Sequence, residues 1–190
     1  MEIQEAQREN RSVYIGGFCG QLVSSAIWLA SAELGTWMTP KASILAIVVA
    51  GFFIFPVTQV LLRLSGRPAR VSRENPLHWL GMQVAFVLPI SMLLLVPVGY
   101  YRLNWFFPAL MILLGAHYLP FAFLYGMRMF LFLAGILIVM GVVIALYFVQ
   151  TFSLGAWVGG LTLFLFAWIG RSVATDEART QAASAVECAT

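Results

Sequence analysis

Apolar residues run through this chain in six successive stretches, and polar residues are confined to the short segments between them. Each stretch is close to the roughly 20 residues that a helix needs to cross a bilayer. Hydrocarbon offers the backbone no water, so a helix that pairs its own N–H and C=O groups is the form such stretches take. The pattern predicts spans over residues 13–34, 42–64, 79–100, 105–127, 129–149 and 152–169. Gly35, Thr36 and Pro40 turn the chain after the first span, and Ser65, Gly66 and Pro68 stop the second. The expected fold class is all-α, a polytopic membrane bundle of six transmembrane helices forming a single domain over residues 1–190.

Composition agrees with that pattern. The chain is 61% hydrophobic and 10% charged, against roughly 45–50% and 25% in ordinary soluble domains. Between the spans, the tails and loops are too short and scattered to fold separately. The leading MEIQEAQRENRS holds three Glu in its first nine residues and no short apolar core with a cleavage site. It reads as an amphipathic or frayed lead-in and not as a cleaved signal peptide.

Charge orients the bundle, because Lys and Arg near span ends stay preferentially cytoplasmic. Placing the N-terminus inside puts Arg8, Arg11, Arg63, Arg67, Arg70, Arg73, Arg128, Arg171 and Arg179 on that side, and leaves only Lys41 and Arg102 outside. That bias, with an even number of spans, predicts both termini in the cytoplasm. Trp37, Tyr100, Tyr101, Trp105 and Phe106 would then mark the outer membrane surface, and His78 and Trp79 the inner one. The net charge of +3 comes without a basic face of any length. It suits topology and anionic headgroups, and no nucleic-acid partner is expected.

The segment SGRPARVSRENPLH after the second span is the one loop with enough polar sequence to form a defined structure or meet a lipid or protein partner. The ends FPVTQVLLR, LPFAFLYGMR and FAWIGR share aromatics and a closing Arg, as three stacked hairpins or the positive-inside rule alone would produce.

Small residues recur at four-residue spacing: Gly16, Gly20 and Ser24 in the first span, Gly155 and Gly159, followed by Gly160, in the sixth. Such grooves let helices approach closely in lipid, within the chain or between copies in a homo-oligomer. Pro56, Pro89, Pro97 and Pro120 fall inside spans, and each removes a donor from the carbonyl four residues earlier: Phe52, Ala85, Leu93 and Ala116. Kinks are expected there.

Chemistry has few places to sit. His117 falls near the middle of the fourth span beside Tyr118, where a polar side chain is costly and faces the interior. It reads either as a hydrogen-bonded packing residue or as part of a ligand site. Gln21, Gln59 and Gln83 occupy the inner halves of the first three spans and could converge with Thr58 and Tyr125 on a cavity, or serve as separate interhelical contacts. Glu33 is the only acid associated with a span, with Lys41 or Arg102 as its natural partner in a surface ion pair.

No catalytic constellation can be assembled from this inventory. The spans contain no Asp, His78 and His117 are the only imidazoles, and the sole lysine is Lys41. An acid pair, a multi-His metal site and a phosphate loop with its Lys are therefore out of reach. Cys19, inside a span, and Cys188, in the tail, read as neither a disulfide nor a metal pair. No metal or other cofactor is expected, and no enzyme.

The stretch NWFFPALMILLGAHYLPFAFLYGMRMF, with RPARVSRENPL before it and FSLGAW after it, resembles a family of small bacterial six-span integral membrane proteins of unknown function. The resemblance implies a six-helix bundle in the inner membrane and brings no activity or site. Two functions stand open: binding or moving a small molecule or lipid through a cavity lined by His117, Tyr118, Gln21, Gln59, Gln83 and Tyr125, and a non-catalytic structural or regulatory role through lipid or protein contacts.

Overall fold

A computed structural model describes residues 1–187, and Cys188 lies outside them. The described residues are mainly helical, without a strand. The helices are α1 (Ile3–Tyr14), α2 (Phe18–Trp37), α3 (Pro40–Gly51), α4 (Ile54–Leu64), α5 (His78–Ser91), α6 (Leu95–Tyr101), α7 (Phe106–Tyr125), α8 (Met129–Tyr147) and α9 (Leu154–Glu187). Five helices are long and apolar enough to cross a membrane, and the pair α3 and α4, bent by 55°, makes a sixth if it is one span. Several such helices mark a membrane-embedded protein.

Proline chemistry accounts for the main bends. The α3–α4 break covers Phe52, whose carbonyl Pro56 cannot serve with an N–H. Likewise Leu93, four residues before Pro97, lies in the 3₁₀ turn Met92–Leu94 between α5 and α6. Pro89 and Pro120 behave differently, since α5 and α7 run unbroken through them.

The first span begins later than its apolar pattern suggests. Ile15, Gly16 and Gly17 have φ of 51°, 60° and 85°, so the chain turns left-handed between α1 and α2. A β-branched residue is rarely found there, and the turn is held by close packing: a Cβ on Gly170 of α9 would stand 2.6 Å from the Gly16 carbonyl oxygen. Glycine at both positions lets two backbones touch.

The small-residue pattern is used within the chain. α2 and α9 run antiparallel, with the Trp28 ring against Gly159 and Leu29 against Gly160. Ser25 Oγ donates to the Gly160 carbonyl at 2.9 Å. Gly155 receives Phe107 of α7, and Gly115 of α7 admits Ile138 of α8. Phe107, Met111, Phe130, Leu133, Leu137 and Leu163 are fully covered at the centre of this packing. By contrast, α5, α6 and the turn between them present Phe86, Ile90, Leu93 and Val96 outward, as lipid-facing helices do.

At the end opposite the arginines, Trp37, Tyr100 and Tyr101 are exposed as expected of interfacial aromatics, whereas Phe106 is buried in the bundle. Glu33, Lys41 and Arg102 are all exposed, and among the described residues no ion pair joins them. At the other end α9 continues straight past Arg171, so the likeness among the three Arg-terminated stretches does not extend to how their helices end.

Candidate functional site

The arginine-rich end is built by α1, whose sequence is polar on one side and presents Ala6, Asn10 and Val13 as buried residues on the other. Its side chains close the C-terminus of α7, where the last carbonyls lack helical partners. Gln7 Nε2 donates to the Phe123 carbonyl at 2.7 Å, Asn10 Nδ2 to that of Leu124 at 2.8 Å, and Arg11 Nη1 to that of Tyr125. Gly126, with φ 63°, adds backbone bonds that complete a Schellman turn: its own N–H reaches Phe123 and the Met127 N–H reaches Ala122. The last four carbonyls of α7 are thereby satisfied, and the lead-in is a docked helix.

The same helix folds the long loop. Glu9 accepts from the Ser72 N–H at 2.7 Å and from Asn75 Nδ2 at 2.7 Å. Asn75 is buried, donates also to the Ala6 carbonyl and accepts from the Leu77 N–H at 2.9 Å. This Asx turn delivers the chain into α5.

Three segments distant in sequence therefore bring arginines together. α4 ends in a second Schellman turn, in which Gly66 (φ 72°) bonds Arg63 and the Arg67 N–H bonds Leu62. That geometry fixes the backbone of Arg67 beside α1 and α9. Arg171 of α9 has its guanidinium 5.0 Å from the Phe18 ring and 5.2 Å from the Trp168 ring, in cation–π range of both. Arg11 pairs with Glu177, Nε to Oε2 at 2.6 Å and Nη2 to Oε1 at 2.7 Å. Glu177 stands on the polar continuation of α9 beyond its apolar stretch. Donation from Arg11 holds its carboxyl below the ordinary range, with the field of Arg8 adding to the effect and burial opposing it.

Two adjoining concavities open between these segments. One, of about 60 Å³, is lined by Arg8, Arg11, Ser12 and Glu177, and the other, of about 240 Å³, by Phe18, Ser65 and Arg171; Ile15, Arg67 and Thr175 border both.

The residues singled out from the sequence lie elsewhere. His117, Tyr118 and Tyr125 come together in one aromatic column: His117 lies 5.8 Å from Tyr118 and 5.1 Å from Phe121, and Phe121 stacks on Tyr125 at 5.8 Å. Phe130 closes the column from α8, and Tyr14 meets Tyr125 from α1. The buried Nδ1 of His117 has no hydrogen-bond partner. Gln21, 2% exposed, has neither amide atom hydrogen-bonded, and the Thr58 hydroxyl is also buried without a partner. Gln59 is half-buried and Gln83 exposed. Among the described residues no hydrogen bond links the three glutamines to one another or to the column. The clustering of Arg8, Arg67 and Arg171 was hidden in sequence, where each reads as a separate flank of an apolar span.

No curated protein and no solved structure matches the chain. A family model does: residues 3–171 match DUF7010, described as a family of unknown function, and the chain belongs to that family.

Proposed function

We propose that this is a non-catalytic multi-pass protein of the bacterial inner membrane, with both termini cytoplasmic, that acts through lipid or protein contacts at its arginine-rich end. One observation carries the reading: the concavities among Arg8, Arg67 and Arg171 open at that end, whereas His117 packs against the rings of Tyr118 and Phe121 and lines neither concavity. Nine basic residues at one end against two at the other support the orientation. The small-residue grooves occupied by Trp28, Leu29 and Phe107 leave those faces to intramolecular packing.

A second reading, ligand binding inside the bundle, is favoured by the buried, unpartnered atoms of Gln21, Thr58 and His117. Buried polar groups usually have partners, and an unsatisfied one costs about 1–3 kcal/mol. Native mass spectrometry of the protein released from its own membranes separates the two. Retained phospholipid with no other adduct supports the first reading. A small polar molecule that stays with the wild type and is lost from His117→Phe or Gln21→Leu contradicts it.

A further inference from the structure

The geometry points to a binding site for a phosphoryl group between α1, the end of α4 and α9, with the headgroup of an anionic phospholipid as its occupant. This rests on the lipid-contact reading above and adds to it the ligand's chemistry and the side chains that recognise it.

Charge comes first. Arg8, Arg11, Arg67 and Arg171 line the two joined concavities, and Glu177 is the acid among the lining residues. Glu177 is taken up by Arg11, which leaves Arg8, Arg67 and Arg171 without a carboxylate among the described residues. Arg67 borders both concavities, with Arg8 on the smaller and Arg171 on the larger, and guanidiniums gathered in this way repel one another and favour an anion among them.

Donor chemistry then selects the anion. The Ser65 hydroxyl already donates to the Leu61 carbonyl at 2.8 Å, and the Thr175 hydroxyl to those of Arg171 and Ser172 at 3.0 and 2.9 Å. A hydroxyl has one proton, so apart from the Ser12 hydroxyl the free donors here are those of the arginines. Their planar forks match the paired oxygens of a phosphoryl group better than a single-point acceptor.

Shape and position favour a lipid. The larger concavity, about 240 Å³, falls below the roughly 300–1,000 Å³ of clefts that enclose drug-sized ligands. It suits a headgroup whose remainder lies outside. Its apolar wall of Ile15 and Phe18 belongs to the start of the first span, and exposed Trp168 and Phe164 continue down α9 from Arg171. A headgroup seated on Arg67 and Arg171 would lay its acyl chains along that apolar surface. Basic pockets between helices at the membrane boundary bind anionic headgroups on this principle.

Two built features distinguish the site from loose surface charge. The Schellman turn at Gly66 fixes Arg67, and the rings of Phe18 and Trp168 hold Arg171. Arg63 and Arg73 are exposed outside the concavities and serve as the internal control.

The test is native mass spectrometry of the full chain in neutral detergent, titrated separately with phosphatidylglycerol, phosphatidylcholine and inorganic phosphate. The wild type is expected to retain one phosphatidylglycerol in preference to phosphatidylcholine. Arg67→Gln with Arg171→Gln should weaken that retention about 30-fold, at about fivefold per arginine near the membrane surface. Arg63→Gln with Arg73→Gln should retain it. Ser12→Glu, which adds a carboxylate at the rim and leaves every arginine in place, should also weaken retention and covers the case in which the double variant does not fold. Retention unchanged in both Arg67→Gln/Arg171→Gln and Ser12→Glu, or lost equally in the control pair, overturns the site while leaving general lipid contact standing. Displacement of phosphatidylglycerol by millimolar inorganic phosphate overturns the lipid as occupant. A small molecule bound at His117 would instead count against the functional reading itself.

Discussion

Arg11 grips Glu177 through two nitrogens across 166 residues of sequence, and its remaining nitrogen reaches the Tyr125 carbonyl. One side chain thus ties α1 to both α7 and α9. Because hydrogen bonds to charged groups are worth about 1.5–3 kcal/mol, Arg11→Ala should destabilise the bundle by about 2 kcal/mol and Glu177→Gln by less. Thermal unfolding in detergent, compared at fixed lipid content, measures both.

The same pair predicts a pH dependence. Arg11 holds the Glu177 carboxyl below the ordinary range in the folded protein. The contact therefore contributes fully above the unfolded carboxylate range, and its contribution is lost as pH falls through the lower folded value. Wild type should lose unfolding temperature over that interval by more than Glu177→Gln does. Parallel curves for the two proteins would contradict the assignment.

Glu9 holds the long loop through Ser72 and Asn75. Removing its carboxylate in Glu9→Ala frees those donors and should speed tryptic cleavage at Arg70 and Arg73 several-fold. Asn10→Ala, which leaves the Leu124 carbonyl without its partner, should cost about 1–2 kcal/mol and raise hydrogen exchange at the end of α7.

Close helix approach sets a third contrast. A Cβ at Gly160 would meet Leu29 at 2.8 Å, whereas one at Gly135 meets nothing within 4 Å. Gly160→Ala should cost about 1–3 kcal/mol through overpacking. Gly135→Ala should be neutral or slightly stabilising, since glycine in mid-helix is disfavoured by about 0.5–1 kcal/mol. Unfolding temperatures of the two variants decide it.

Local physics made part of this fold legible. Long apolar runs determine helix positions because lipid excludes unpaired backbone, and Pro56 and Pro97 announce their bends through a missing N–H. Gly155, Gly159 and Gly160 read correctly as places where helices meet. The left-handed turn at Ile15–Gly17 was not readable, because it depends on Gly170 arriving from the far end of the chain. Nor was the docking of α1, whose Asn10 bonds a carbonyl 114 residues away. The arginines were visible one by one as topology signals, but their convergence belongs to tertiary structure. The polar residues nearest the membrane centre drew attention for their cost in lipid, and the structure distributes them: His117 joins an aromatic column, while Gln21 is buried apart from it.

Cysteine accessibility in native membranes asks most directly whether the working surface is the arginine-rich end or the bundle interior. In a background of Cys19→Ala and Cys188→Ser, single cysteines replace Ser12, Ser65, Gln21 and His117 in turn, and each is challenged with a membrane-impermeant thiol reagent on inside-out vesicles. Ser12→Cys and Ser65→Cys should label rapidly, and Gln21→Cys and His117→Cys should stay unlabelled. Rapid labelling at Gln21→Cys and His117→Cys would reveal a hydrated path through the bundle and contradict a protein that acts only at its membrane boundary.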